Sequence, residues 1–402
     1  MSGIYSLKEV RFLFEHEGEI KRDAELGLID ISTHLDMELN LRNIYHIFEY
    51  IFLTREAKYI ETILIPIVHR IYNSQLKKKT IYRVSYGRYS PATEYTEIHA
   101  DEEYLKTNAG AFPTVIGRDH LVIYGLYPDL DSTAYAVLIL SKSYRLMKDK
   151  LKGDFIKSIE EAVDYLLLRD VNNDGLVEQL VNEDWAVGAC REGSITYTNL
   201  ITFLALEEAY DLFLSIGNQE YIDKIEKRLS RASDAILNKL WIKDYFVNGL
   251  DRYGKYDLTY SLDTIYITQS VILQGEEKVK THMKTLASKL TVDGLLTSFH
   301  PVPYGVCVED VEPYTSINGG VWPRFNILFA RALIKMGYIT EAAKLLRNLI
   351  DVRRYRWVNP KNKLQYEEDG YRENNVLFLI TLKELRETLE KLEEGPASTG
   401  QG

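Results

Sequence analysis

Cysteine is scarce in this chain: Cys190 and Cys307 are the only two among 402 residues. They form no CxxC and no metal-ligand spacing, so neither a disulfide scaffold nor a thiolate metal centre organises the fold, and two buried free thiols are expected. Long apolar runs are also missing. None approaches the ~18 residues of a membrane helix, and the opening MSGIYSLKEV lacks the apolar stretch of a secretory leader. The expectation is a cytoplasmic protein with no membrane partner. Positive charge is in deficit, 49 Lys+Arg against 59 Asp+Glu, a net charge of −10. That is not the basic footprint of a nucleic-acid binder. The one basic cluster, LKKKTIYR at 76–83, is short and reads as a solvated segment.

What is present is ordinary globular chemistry with one bias. Hydrophobic residues make up 46% of the chain, enough for a large core. Tyrosine, at 29 residues, outnumbers 13 Phe and 4 Trp. Its flat apolar face and polar tip suit both half-buried helix packing and stacking on sugars.

Apolar periodicity predicts about a dozen helices, near 5–22, 38–54, 56–76, 132–148, 154–168, 195–215, 218–241, 262–274, 277–290, 323–336, 339–353 and 373–393. Many are paired through short turns. Gly217 and Gly337 have the character of helix C-caps, and Thr340 that of an N-cap. No exact repeat is visible, which disfavours a regular solenoid. Twelve helices fit six hairpins: an all-α (α/α)6 toroid as a single domain over 1–393, followed by a flexible tail, 394–402. A small strand and loop insertion is expected near 80–130, where TIYRVSYGRYS alternates as a hairpin would. Long loops at 242–261, 291–322 and 354–372 should gather at one end.

Those loops hold the candidate chemistry. Arg118 and Asp119 form a neighbouring pair that can hold vicinal hydroxyls. Asp131 precedes a helix and is placed to cap it. The segment DVNNDG (170–175) matches half of a calcium loop, but its twelfth position is Val181 rather than a bidentate Glu, so a polar turn is expected and no metal. Asp184 stands beside Trp185, where desolvation suits a carboxyl to proton donation. Glu367, Glu368 and Asp369 lie in the loop before the last helix. In SINGGVWPRF (316–325), Gly319 and Gly320 permit positive φ or close approach. Pro323 fits a first helical turn, which puts Trp322 at a helix mouth. Two carboxyls across an aromatic-walled pocket are the apparatus of glycoside hydrolysis.

In order along the chain, GRD at 117–119, DLDSTAYAVL at 129–138, EDWAVGACREGSITYTNL at 183–200, INGGVWPRF at 317–325 and LQYEEDG at 364–370 resemble segments of the six-hairpin glycosidases, among them glycogen-debranching (amylo-α-1,6-glucosidase) and glucoamylase-like enzymes. The resemblance spans about 110–380. It implies an (α/α)6 barrel, inverting hydrolysis of an α-linked glucan or oligosaccharide, and no cofactor. Arg118 and Asp119 would grip the terminal sugar with Asp131 nearby, Trp185 and Trp322 would line the wall, and Glu367 would be the general base with Glu368 its competitor. The pattern is broken at two places. Ala186 and Val187 stand where the general acid follows the tryptophan, and Ile317 stands where a His precedes the turn. Asp184 is the nearest substitute acid. A catalytically altered sugar-binding relative, or another (α/α)6 sugar enzyme such as an epimerase using His99, His120 or His300, is the alternative. Oligomeric state is not readable.

Overall fold

The computed structural model describes residues 8–77, 81–85, 95–99, 102–124, 127–181, 183–186, 189, 191–302, 312–366 and 372–394. Their helices are α1 (Lys8–Glu15), α2 (Glu17–Thr33), α3 (Leu41–Thr54), α4 (Ala57–Tyr59), α5 (Ile65–Ser74), α6 (Glu102–Asn108), α7 (Leu130–Met147), α8 (Phe155–Leu168), α9 (Thr196–Ile216), α10 (Gln219–Lys239), α11 (Glu277–Leu290), α12 (Pro323–Lys335), α13 (Ile339–Leu349) and α14 (Arg372–Glu394). A 3-10 segment, Leu262–Gln269, takes the place of one helix.

Neighbour relations close a ring. Helix α3 packs on α7, α7 on α9, α9 on the 3-10 segment, that segment on α12, α12 on α14, and α14 back on α3. Outside these lie α5, α8, α10, α11 and α13, while α2 covers α14 and completes the second layer. The fold is the expected (α/α)6 toroid. Sequence pattern follows the layers. Helix α7 buries every residue from Leu130 to Ser141, whereas outer α10 buries one stripe, including Tyr221, Ile225, Arg228, Leu229, Ala232 and Ile236.

Most expected helix bounds agree to within a few residues. Helix α2 runs on to Thr33, beyond the expected stop near 22. Its LGLID stretch reads poorly as helix, yet Gly27 packs tightly against α14: a Cβ there would lie 3.0 Å from Arg372 Cβ. Tertiary packing outweighs local propensity. Expected helix 262–274 is instead a 3-10 segment ending at Gln269. Thr264, Ile265, Ile267 and Thr268 are β-branched and stiff, and Asp263 is drawn into side-chain bonds of its own. Between α4 and α5 the chain takes a π turn, Ile60–Leu64, just before Pro66, which has no N–H for an ordinary helical bond. Gly217 and Gly337 take the left-handed cap conformation at φ 73° and 82°. Thr340 does not cap: α13 begins at Ile339, with Tyr338 in the cap position.

The insertion forms a five-stranded sheet in the order β1-β4-β5-β2-β3: β1 (Leu39–Asn40), β2 (Ile81–Ser85), β3 (Tyr95–His99), β4 (Val115–Ile116) and β5 (Leu121–Ile123). Strands β2 and β3 make the expected hairpin, and β5 joins β2 in parallel. Strand β1 runs directly into α3, so the sheet sits at the end of the toroid where α3 begins. Cys190, Cys307 and the 395–402 tail lie outside the described residues.

Candidate active site at the inner-helix N-termini

Side-chain contacts show that the inner elements all begin at one end of the ring. Arg42, in the first turn of α3, donates through Nε to Asp131 Oδ2 over 2.7 Å and through Nη2 to Oδ1 over 2.8 Å. The same Nη2 bonds Asp129, the residue before α7. Tyr197, at the start of α9, donates to Asp131 Oδ2 at 3.0 Å. All four side chains are buried. Burial pushes the Asp129 carboxyl upward; the Arg42 guanidinium opposes this, and the neighbouring Asp131 charge adds to it. Asp131 therefore does not cap α7. It lies inside the first turn, and a guanidinium from another helix outcompetes the local N–H groups for its oxygens.

A second cluster centres on Arg191. Its Nη2 lies 2.8 Å from Asp184 Oδ2, and its Nη1 donates to Asp263 Oδ2 at 2.7 Å and to Asn248 Oδ1 at 3.2 Å. Asp263 opens the 3-10 segment and also accepts the Trp185 indole N–H at 2.7 Å. Asp184 accepts Gln179 Nε2 at 2.8 Å and the Ala186 backbone N–H at 2.7 Å. Both of its oxygens are thus engaged, and the carboxylate is 1% exposed. Ala186, in the position after the tryptophan, is buried and apolar.

Aromatic rings bridge the two clusters. Trp185 meets Trp322 edge-on with centroids 5.1 Å apart, stacks on Phe299 at 5.7 Å and touches Phe325 at 4.7 Å. Trp322 occupies the N-cap position of α12 with Pro323 following, as its sequence implied. Gly319 has φ +89°, and a Cβ on Gly320 would lie 2.5 Å from the Ser316 carbonyl oxygen, so both glycines are required by the turn. The Trp322 indole N–H donates to that same carbonyl at 3.0 Å, and the Arg356 guanidinium lies over its ring at 5.4 Å. Acids gather here because helix N-termini carry positive partial charge.

Further along the inner elements a buried polar line links α7, the 3-10 segment, α3 and α12. Tyr135 donates to the Tyr266 hydroxyl at 2.9 Å, and His46 Nε2 lies 3.3 Å from that hydroxyl. His46 Nδ1 is 3.0 Å from Glu49, which Arg331 also holds at 2.8 Å. Burial lowers the His46 pKa, against the raising effect of its hydrogen bond to Glu49. Burial alone would raise Glu49, but Arg331 and His46 overrule it and hold the carboxyl below its usual range.

The structure brings Asp131, Asp184, Trp185 and Trp322 to one end. Arg118 and Asp119 stand apart on the exposed tip between β4 and β5, where Arg118 is 3.8 Å from Asp36. Glu367, Glu368 and Val187 lie outside the described residues. Arg42, Arg191, Asp263 and Glu373 escaped the sequence reading. Their partners lie far away in sequence, and only the acid-rich helix starts hinted at them. His120 reaches exposed Glu38 at 3.0 Å, and His300 is exposed. The DVNNDG loop is held by cations of the chain itself: Asp170 pairs with Arg228 and Arg231, and Lys239 lies 3.0 Å from Asp174. Among the described residues no cluster of His, Cys, Asp and Glu could hold a metal ion, and no helix is long and apolar enough to cross a membrane.

No protein-family model matches the chain, and no curated protein matches its sequence. Solved structures share its fold. A glycosidase variant in complex with glucose is 13% identical, covering 92% of this chain and 98% of that one with a TM-score of 0.63. The cellobiose 2-epimerase of Spirochaeta thermophila is 14% identical over 88% of each chain, TM-score 0.60. The GH63 mannosylglycerate hydrolase of Thermus thermophilus, in complex with Tris, is 13% identical over 67% of this chain and 84% of that one, TM-score 0.52. At these identities the likeness is one of fold: glycoside hydrolases and an epimerase share this toroid.

Proposed function

We propose that the chain is a glycoside hydrolase that binds an α-linked glucan or oligosaccharide at the inner-helix N-termini and cleaves it with inversion. The observation that carries this reading is the contact of Trp185 with Trp322, which sets an aromatic wall among buried carboxyls and guanidiniums. Indole faces stack on sugar rings, and charged pairs orient hydroxyls. Asp131, its oxygens taken by Arg42 and Tyr197, would support the sugar site by positioning those two side chains, and Arg118 and Asp119 are proposed sugar contacts on the exposed tip between β4 and β5. Asp184 is the candidate acid, and it donates a proton only once its pair with Arg191 opens. The base belongs to the acidic stretch running into α14, where Glu367 and Glu368 are the sequence's candidates. No cofactor is needed.

One observation favours a second reading, that of a sugar-binding relative without hydrolysis: Asp184 is held on both oxygens and Ala186 is apolar. The test is sugar release from a panel of α- and β-linked oligosaccharides, with an Asp184→Asn, Glu367→Gln double variant as the blank and the released anomer read by NMR. Release by the wild type alone establishes the hydrolase. Sugar binding by calorimetry without release establishes the second reading.

A further inference from the structure

Six acids are fully buried among the described residues: Asp129, Asp131, Glu183, Asp184, Asp263 and Glu373. Five of them are ion-paired with an arginine: Arg42 for the first two, Arg169 for Glu183, and Arg191 for Asp184 and Asp263. Glu373 has no salt bridge among the described residues, and its Oε1 accepts no hydrogen bond. It is 1% exposed in the first turn of α14. The inner neighbour α12 brings Arg324 toward it, and Arg356 and Arg372 also bear on it electrostatically. Arg324 is itself buried, stacks on Phe325 at 4.8 Å, and reaches Asn43 Oδ1 of α3 at 3.4 Å. Arg356 lies over Trp322. Glu373 thus faces the cations that border the aromatic wall, with one oxygen free.

We propose that Glu373 is the general base of this site, the carboxylate that takes the proton from the attacking water. The inference rests on the hydrolase reading above. The free Oε1 accepts a hydrogen bond from water. As the water oxygen bonds to the anomeric carbon, its proton passes to Oε1. The bond from that carbon to the glycosidic oxygen breaks, its electron pair stays on that oxygen, and the acid partner protonates it. The products are a free sugar and an alcohol, and Glu373 then returns its proton to solvent. Burial, only partly offset by Arg324, raises the Glu373 carboxyl to about 7, near neutral working pH, where a base is most effective. Asp129 Oδ1 and Glu183 Oε1 also accept no hydrogen bond, but each of those carboxylates is ion-paired with an arginine through its other oxygen, so among the six only Glu373 joins a free oxygen to the lack of an ion pair.

The experiment compares Glu373→Ala and Glu373→Gln with Glu367→Gln and Glu368→Gln on whichever oligosaccharide the wild type cleaves. Positioned proton transfer contributes about 10²–10⁴-fold. The expected result is a fall in kcat of at least about 100-fold for both Glu373 variants, with KM little changed and circular dichroism like the wild type. Added azide should restore turnover of Glu373→Ala and yield a glycosyl azide, a product that a purely structural role cannot generate. The acid limb of the wild-type kcat/KM profile should be lost in Glu373→Gln. Near-wild-type turnover of the Glu373 variants overturns the proposal and leaves the hydrolase reading standing, as does loss of turnover without azide rescue. A wild type that cleaves nothing overturns both.

Discussion

Trp185 and Asp263 are joined by a 2.7 Å hydrogen bond from the indole Nε1 to Oδ2, across 78 residues of sequence. The same oxygen accepts Arg191. One carboxylate thereby positions both the ring that forms the aromatic wall and the cation that holds Asp184. Asp263→Ala leaves Arg191 short of a partner and the indole N–H unsatisfied. Urea unfolding should show a loss of ~3–5 kcal/mol, the usual cost of breaking a buried pair from one side. Trp185→Phe, which keeps a ring and removes the N–H, should cost less, and a double-variant cycle should report coupling between the two sites.

Arg42 serves two carboxylates at once. Arg42→Met should strand Asp129 and Asp131 without a cation and destabilise the fold by ~3–5 kcal/mol. Adding Asp129→Asn to Arg42→Met should recover part of that loss, because one uncompensated charge is removed. Equal stability of the single and double variants in urea would count against the shared pair.

The Glu373 carboxyl stands at about 7 in the folded protein against an ordinary value of 4.5. A raised carboxyl binds its proton more tightly when folded, so this group erodes stability as pH climbs from the unfolded value to the folded one. Glutamine stands in for the protonated form at every pH. Stability curves between about pH 4 and 8 should therefore show Glu373→Gln gaining about 3 kcal/mol relative to the wild type over that span. A constant difference across the range would contradict the assignment.

Gly319 holds φ +89°, and a Cβ there would lie 2.5 Å from Pro301 Cγ. Gly319→Ala should destabilise by ~1–3 kcal/mol through backbone strain and should weaken sugar binding by displacing Trp322. Gly217→Ala is the control: its φ is +73°, but nothing lies within 4 Å of the added carbon. It should carry the smaller penalty and leave binding intact, as titration calorimetry would register.

Helices were legible because their signal is local. The apolar stripe of α10 and the Pro323 start of α12 are visible within one or two turns of chain. The same locality placed Trp322 at a helix mouth. The second half of α2 was not legible, because Gly27 weakens the local pattern for the sake of contact with Arg372 in α14. Nor was the fate of Asp131: its position before a helix suggested a cap, but Arg42, 89 residues away, takes its oxygens.

Sequence by itself therefore determined the helical period, most helix bounds, the turn glycines and the aromatic at the mouth of α12, since each is set by neighbours a few residues apart. Only the tertiary structure decided which carboxyls are spent in ion pairs and which one stays unpaired. Asp184, in the loop before α9, and Glu373, in the first turn of α14, are both buried acids at the same end of the ring. They differ because Arg191 reaches one of them, and at low dielectric a guanidinium at 2.8 Å commits a carboxylate in a way no local pattern records.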